Sequence, residues 1–287
     1  STAFHFDNLV DTLGFELSLE DRVGNPVMVS RGEIDLADPG AANPTGGTGA
    51  DSYGNEGGQG DALAAGPDLI TIVDPYLTET IMVKARGASG AYPDASYRLR
   101  VRKLVPVPLA FDGGTIPIVN QTNVYQYFKV EVPTNAIGWD IRLTNVSASA
   151  SPQLIVSHDF LPIDLPSQNF PGMFSFWPSG ARWIGEEDWS QRPLSFDGTV
   201  DETGRILGVG MGRPLEPGTY YVAVHNPDFP APINYTIKSR GIGDGFIIPV
   251  IDLPFGGGSV TNTLPARETA YYRLTVPENA TSWQGKL

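Results

Sequence analysis

Apolar and polar residues alternate along many short stretches of this chain. The alternation is clearest in YQYFKVEV (residues 125–132), GWDIRLTNV (138–146), TYYVAVHN (219–226) and NYTIKSRG (234–241). These stretches are rich in β-branched and aromatic residues, and a period of two places successive side chains on opposite faces of a strand. No stretch keeps a helical period for three turns. The pattern therefore predicts short, half-buried β-strands.

Glycine and proline separate the alternating stretches. The 33 glycines and 25 prolines lie mostly between them, as in FDGG (111–114), LEPGTY (215–220) and NPDFPAP (226–232). Such segments end strands and turn the chain. Several short strands joined in this way predict an all-β fold of tandem antiparallel β-sandwiches, jelly-roll-like in form.

The strand pattern recurs along the chain. Trp139 and Trp283 lie 144 residues apart, and the same shift gives eleven identities in thirty-five ungapped pairs between residues 109–143 and 253–287. GFELSL (14–19) resembles GWDIRL (138–143), and TIMVKARG (80–87) resembles TYYVAVHN. Self-similarity of this kind indicates internal repeats.

The repeats predict three units. Residues 1–104 form a first sandwich without its opening strands, residues 105–243 a complete second one, and residues 244–287 the opening strands of a third. We expect the chain to be part of a longer array. We also expect the aromatic residues at one shared position, Phe15, Trp139 and Trp283, to be buried core residues.

Composition narrows the functional classes. The chain of 287 residues has no cysteine and a net charge of −13. Absence of cysteine excludes disulfides and thiol chemistry, and the negative charge disfavours nucleic acid as a partner. No apolar run approaches the ~20 residues of a membrane-spanning helix. These features predict a protein with no nucleic-acid partner and no membrane span.

One segment resembles a known family. The stretch RPLEPGTYYVAVHNPDFPAPINYTIKSRG (213–241) resembles the closing hairpin of bacterial pre-peptidase C-terminal domains, and residues 78–101 match it more loosely. Those domains are small sandwiches that accompany secreted proteases, chitinases and collagenases, or repeat in large surface proteins. The resemblance implies an accessory role that is extracellular or at the cell surface.

An aromatic insertion lies in the second repeat. Residues 170–196 include Trp177, Trp183, Trp189 and Phe176, with Glu186, Glu187 and Asp188 close by. Exposed tryptophans stack on sugar rings and carboxylates accept hydroxyl protons, so the insertion is a candidate polysaccharide-binding surface. Alternatively, the same side chains fold into a small core or seal a contact with a neighbouring repeat.

Acidic turns suggest a calcium site. Asp197, Asp201 and Glu202 in DGTVDETG are candidate ligands, because calcium collects carboxylate and carbonyl oxygens. The spacing is not that of an EF-hand, and solvated acidic turns are the alternative interpretation. A structural calcium ion is the one cofactor that the sequence suggests.

Catalysis is not predicted. The three histidines, His5, His158 and His225, fall in predicted strands, and the chain has none of the HExxH, GxSxG or phosphate-loop motifs. Glu186 and Asp188 are neighbours on one loop, which disfavours a glycosidase pair on opposite sides of a bond. We expect a non-enzyme.

Two functions remain after these considerations. The first is a structural, fibre or adhesive scaffold within a large extracellular bacterial protein, whose partners are neighbouring repeats or other copies. The alternative is a module that targets a secreted hydrolase to polysaccharide or collagen. The sequence leaves two interpretations of residues 253–287. Their strands complete the first unit of another copy, which lacks the segment equivalent to residues 109–124, or the chain was cut arbitrarily and the tail packs on the second unit or frays.

Overall fold

The regular structure consists of β-strands, and no helix occurs among the described residues. The computed structural model describes residues 2–7, 11–24, 26–32, 52–53, 68–73, 75, 77–85, 94–147, 150, 152–162, 182–184, 206–210, 215–226, 231–265 and 268–286. Within these ranges there is accordingly no helix long and apolar enough to cross a membrane. The predicted all-β fold class is confirmed.

The first seven strands form two sheets. They are β1 (Thr2–Asp7), β2 (Gly14–Val23), β3 (Pro26–Gly32), β4 (Ser52–Tyr53), β5 (Asp68–Val73), β6 (Thr78–Ala85) and β7 (Ser96–Lys103). Sheet A has the order β1-β6-β3-β4 and sheet B the order β5-β2-β7, with antiparallel neighbours throughout. Phe15, Leu17 and Leu19 of β2 pack against Met28 of β3 and Ile81 of β6. The two sheets therefore share one core.

The next nine strands form a second pair of sheets. They are β8 (Val107–Pro108), β9 (Gly114–Gln121), β10 (Tyr125–Val132), β11 (Gly138–Thr144), β12 (Gln153–His158), β13 (Arg182–Ile184), β14 (Ile206–Val209), β15 (Gly218–His225) and β16 (Ile233–Ile242). Sheet C has the order β13-β12-β15-β10-β8 and sheet D the order β14-β11-β16-β9. Trp139 of β11 and Tyr235 of β16 lie in one core with Phe128 of β10 and Tyr220 of β15.

The two pairs of sheets have matching topologies. The order β4-β3-β6-β1 in sheet A corresponds strand by strand to β13-β12-β15-β10 in sheet C, and β5-β2-β7 corresponds to β14-β11-β16 in sheet D. Each strand of the first pair matches the strand nine places later in the chain. Sheets C and D each have one further strand, β8 and β9.

The last two strands form a small parallel sheet E. These strands, β17 (Val250–Leu253) and β18 (Tyr271–Leu274), pair Ile251 with Tyr272. Strands β8 and β10 are also parallel and pair Val107 with Phe128. Both partners in sheet E therefore lie 144 residues beyond those in sheet C, which is the shift found in the sequence. The unit boundaries themselves stay a prediction.

Two sequence expectations are wrong. The segment 213–241 does not form a hairpin, because β15 lies in sheet C and β16 in sheet D. Alternation shows which face of a strand is buried but not which strand is its neighbour. Two consecutive strands that lie in opposite sheets of a sandwich bury alternate residues just as two strands of a hairpin do. Trp283 is not buried either, since 63% of its surface is exposed. Within the described residues no sheet covers it, whereas Phe15 and Trp139 are buried as expected.

Candidate functional site

Most of the predicted site residues lie outside the described residues. These are Trp177, Trp189 and Phe176 of the aromatic insertion, and Asp197, Asp201 and Glu202 of the acidic turn. Trp183 belongs to β13, whose backbone pairs with β12 so that Trp183 stands opposite Val156. The aromatic insertion thus joins the edge of sheet C at this point. Neither the polysaccharide surface nor the calcium site is tested by the structure.

The three histidines lie on three different strands, as predicted. The exposed ring of His5 on β1 lies 3.4 Å from Asp7. His158 on β12 stacks on Tyr220 with ring centroids 4.5 Å apart, and His225 on β15 lies against Tyr125. In the part of the chain that the structure describes, no three His, Asp or Glu side chains gather as metal ligands.

The outer face of sheet C is covered by the first sandwich. Its side chains alternate with those of the core, so they point away from sheet D. We call this contact the first joint; its cluster consists of Leu104, Tyr127, Ile155, Leu161, Tyr221 and Ala223, with Leu13, Val73 and Tyr125 packed against it. Leu13 and Val73 come from the first sandwich, and Leu104 from the segment between the two. Burial of this apolar surface holds the sandwiches together.

Gly14 allows close approach at the first joint. A Cβ at this position would lie 2.7 Å from the carbonyl oxygen of Ile72, 3.0 Å from Leu104 Cδ1 and 3.4 Å from Leu161 Cδ1. The amide of Leu104 donates a hydrogen bond of 2.8 Å to the Gly14 carbonyl. A side chain here would clash with the backbone of β5 and crowd the leucines of the first joint.

An ion pair borders the first joint. Arg102 of β7 donates from Nε to Glu16 Oε1 at 3.2 Å and from Nη2 to Oε2 at 3.0 Å. Glu16 on β2 is buried and stands directly opposite Arg102 in the sheet. The second hydrogen bond fixes the orientation of the guanidinium plane.

Tyr127 approaches this ion pair from the second sandwich. Its side chain is buried, and its hydroxyl has no hydrogen-bond partner. Burial raises the pKa of Tyr127, with smaller contributions in the same direction from Tyr125 and Glu16, while Arg102 opposes the rise. The phenol therefore stays neutral, and the charges of the first sandwich act on a residue of the second.

A related arrangement occurs where the tail meets sheet D, and we call it the second joint. Asp140 of β11 stands opposite Arg240 of β16, as Glu16 stands opposite Arg102. Arg142 donates to both Asp140 oxygens at 2.7 and 2.6 Å, and Arg240 Nε lies 3.1 Å from Asp140 Oδ1. The Glu268 carboxylate binds Arg142 at 2.8 Å and lies 3.0 Å from Arg240.

A tyrosine also faces the charges of the second joint. Burial raises the pKa of Tyr271, followed by the charge of Asp140, while Arg240 and Arg142 oppose the rise. Tyr271 lies 144 residues after Tyr127. At both joints an acid–arginine pair that crosses two neighbouring strands thus faces a tyrosine of the next segment.

Sequence reasoning missed these joints, although a signal was present. The shift that aligned the repeats already matched Tyr127 with Tyr271, and the GFE and GWD motifs placed Glu16 and Asp140 at equivalent positions. The arginines could not be assigned to these acids, because the sequence does not show that Arg102 lies opposite Glu16 and Arg240 opposite Asp140. Outward-facing polar residues at matched positions would have indicated a recurring contact.

No protein-family model matches this chain, and no similar protein was found among curated sequences.

Proposed function

We propose that this chain is a non-catalytic part of a large, repetitive extracellular protein, in which tandem β-sandwiches form a stalk, fibre or adhesive scaffold. The observation that carries the proposal is the recurrence of the joint. Glu16, Arg102 and Tyr127 at the first joint correspond to Asp140, Arg240 and Tyr271 at the second. Joints built alike add each unit in the same relative orientation, which gives an array of defined direction.

Burial at the first joint supports a stiff connection. Ile155 and Ala223 on the outer face of sheet C have no exposed surface, and Leu161 is equally enclosed. Domains that are joined by flexible linkers and share no fixed interface have polar residues at such positions, because apolar ones would be exposed to water. A load-carrying array needs its units to keep their relative orientation, and a buried joint supplies that property.

A distance measurement tests this proposal. Because the chain has no cysteine, spin labels can be placed at Val23→Cys and Thr134→Cys, two exposed positions on different sandwiches. A narrow distance distribution is expected, and Ala223→Glu should broaden it by burying an unpaired charge in the joint. The exposed Val119→Glu is the matched control and should change nothing. A broad distribution before any joint substitution would overturn the proposal.

A targeting module for a secreted hydrolase is the second proposed function. It is supported by the resemblance to pre-peptidase C-terminal domains and by the pairing of β13 with β12, which joins the Trp183 segment to sheet C. Retention on insoluble chitin, cellulose or collagen, lost in Trp183→Ala, would favour it. Retention on none of the three would favour the scaffold.

Calcium is proposed as a structural ion in the acidic turn, on the chemistry of Asp197, Asp201 and Glu202. An ion that binds only the folded chain raises its melting temperature. Returning calcium after chelation should therefore raise the melting temperature, and Asp201→Asn should reduce that rise. Melting that is insensitive to chelator, with no calcium found by elemental analysis, would leave these residues as solvated acids.

A further inference from the structure

His225 lies on the outer face of sheet C, beside the cluster of the first joint. The side chains of β15 alternate, so His225 shares this face with Tyr221 and Ala223, which belong to the cluster. Its ring lies against Tyr125 of the neighbouring strand β10, with ring centroids 5.0 Å apart. Tyr125 in turn stacks on Tyr127 at 5.8 Å. Three aromatic rings thus run from His225 to the tyrosine that faces the first sandwich.

The surroundings of His225 do not favour a charged ring. Its Nδ1 is buried without a hydrogen-bond partner. On β10 the ring faces the phenol of Tyr125, and the residue opposite on β12 is Gln153; neither a phenol nor an amide supplies a negative charge between pH 5 and 7. The charges that the first sandwich brings to the joint, Glu16 and Arg102, are paired with each other. A proton on the enclosed ring would therefore be a buried charge without a counter-ion.

Two further polar atoms on this face are buried without a hydrogen-bond partner. They are the Tyr127 hydroxyl and the Oγ atom of Ser157, which lies on β12 two residues beyond Ile155 of the cluster. Each of these atoms, like Nδ1 of His225, would bind water if the face were uncovered, so together they oppose closure of the joint. Apolar burial favours closure. The joint is held by the difference between these opposing effects.

We propose that the first joint is an acid-sensitive contact, which opens when His225 takes up a proton. Separation of the sandwiches hydrates the ring, so the open joint can hold a proton that the closed joint excludes. This inference rests on the proposed function, because it names the condition under which a stiff array becomes flexible. At neutral pH the ring is uncharged and the joint stays closed.

The direction of the pH dependence follows from the two states of His225. Burial lowers its pKa to about 4 in the closed joint, whereas a hydrated ring has the ordinary value of about 6.5. As the pH falls, the open joint therefore binds a proton before the closed joint does. Lowering the pH from 7 to 5 should favour opening roughly tenfold, once partial exposure of the ring is allowed for. Most exposed carboxylates remain charged at pH 5.

A buried thiol can report this opening, since the chain has no cysteine of its own. Ala223→Cys places one thiol inside the cluster, at a position with no exposed surface, and the exposed Val119→Cys provides the reference. The measurement is the rate at which dithiodipyridine labels each variant. The ratio of the two rates cancels the effect of pH on the thiol itself. We expect this ratio to rise roughly tenfold between pH 7 and pH 5.

His225→Gln supplies the main comparison, because glutamine is polar but does not titrate in this range. Added to Ala223→Cys, it should remove the rise in the ratio while every carboxylate is retained. His5→Gln, at an exposed position on β1, is the matched control and should leave the rise unchanged. A ratio that is the same at both pH values, or a rise that persists with His225→Gln, overturns the inference.

A second measurement leaves His225 in place. Leu13 packs on the cluster from the first sandwich, so Leu13→Ser should loosen the joint and speed labelling at pH 7. By reciprocity, the pKa of His225 followed by NMR should then rise toward 6.5. Faster labelling with an unchanged pKa would show that the joint does not bury the ring, which also overturns the inference. Narrow spin-label distances at pH 7 would leave the scaffold proposal standing in either case.

Discussion

Single residues show where the alternating pattern becomes a core. Trp139 is fully buried and donates from Nε1 to Ser239 Oγ at 2.8 Å. Ser239 Oγ in turn donates to the Phe111 carbonyl at 2.6 Å. The indole thus fills apolar space while its only polar group is satisfied by a strand of the same sheet. Phe15 occupies the matching place in the first sandwich without a polar group.

Trp139→Ala should destabilise the second sandwich by roughly 3–5 kcal/mol, because it leaves a large cavity in a closed core. Denaturant unfolding followed by fluorescence measures the change. The exposed Trp283→Ala is the matched control, and its free energy of unfolding should change by less than about 0.5 kcal/mol. A loss of less than about 0.5 kcal/mol in Trp139→Ala, no larger than that of the control, would refute the core assignment.

Two buried tyrosines differ in how their hydroxyls are satisfied. Tyr235 donates to Gln121 Oε1 at 2.7 Å, whereas the Tyr127 hydroxyl at the first joint has no partner. An unsatisfied buried hydroxyl costs roughly 1–3 kcal/mol. Tyr127→Phe should therefore keep or raise the free energy of unfolding, and Tyr235→Phe should lower it by about 1 kcal/mol. Equal losses for both would show that the Tyr127 hydroxyl is bonded in solution.

His225 should make stability depend on pH. Burial lowers its pKa from 6.5 to about 4, so the unfolded chain takes up a proton before the folded chain does. Stability is full above pH 6.5, falls as the pH drops toward 4, and levels off below. The loss should be ~1–3 kcal/mol after allowance for partial exposure of the ring.

Urea unfolding between pH 7 and pH 4 measures this loss. His225→Gln should flatten the part of the profile that lies between pH 6.5 and 4, since glutamine does not titrate there. The exposed His5→Gln on β1 serves as the control and should keep the profile of the unchanged chain. An identical slope in the His225→Gln variant would contradict the prediction.

At the scale of elements, β2 and β7 are joined by ion pairs that contribute unequally to stability. Arg98 and Arg100 both bind Glu20 at the exposed end, at 2.6 and 3.3 Å. Burial would raise the pKa of Glu20, but hydrogen bonds from Arg100, Arg98 and Ser18 outweigh it and lower the pKa. Arg102 instead holds the buried Glu16 next to the first joint. The contribution of each ion pair to stability therefore depends on how far its position along the strand is exposed to water.

Arg102→Ala should destabilise the first sandwich by roughly 1–3 kcal/mol, because it leaves the Glu16 carboxylate buried without its partner. Arg98→Ala should cost less than about 1 kcal/mol, since its partner stays hydrated. Thermal unfolding at low and high salt separates the two, and salt should reduce only the Arg98 effect. Similar losses for both variants would place Glu16 in contact with water.

At the scale of the whole molecule, the tail is joined to the second sandwich by ion pairs, as the second sandwich is joined to the first by the first joint. Glu268 reaches both Arg142 and Arg240 on the outer face of sheet D. Arg273 of β18 binds Asp252 of β17 and Asp244, which ties sheet E to the loop after β16. The tail is thus placed on the second sandwich by charge as well as by the partial burial of Tyr271.

Glu268→Gln should loosen the tail without unfolding the sandwiches. Removing its charge weakens two ion pairs, so backbone amides of β17 and β18 should exchange with deuterium roughly tenfold faster. Amides of β11 and β16 should exchange as before. Glu131→Gln, which removes an exposed ion pair with Lys129 on β10, is the control. Unchanged exchange in β18 would show that Glu268 does not hold the tail.

The sequence determined the strands and much of the core. Strict alternation placed Phe15 and Trp139 on buried faces, and segments rich in glycine and proline ended the strands where the structure ends them. These features are local, because side-chain direction alternates along any extended chain and glycine or proline interrupts it. The 144-residue repeat could also be recognised in the sequence, and the structure agrees with it, because β17 pairs with β18 as β8 pairs with β10 144 residues earlier.

Only the tertiary structure decided which strands are neighbours and which outer faces are covered. β15 and β16 were expected to pair, yet each belongs to a different sheet. Period two fixes the buried face of a strand but leaves its partner open. Likewise Tyr127 is enclosed and Trp283 exposed, although both belong to the repeated pattern. Their burial depends on whether a neighbouring sheet packs against them, and such contacts join residues far apart in the chain.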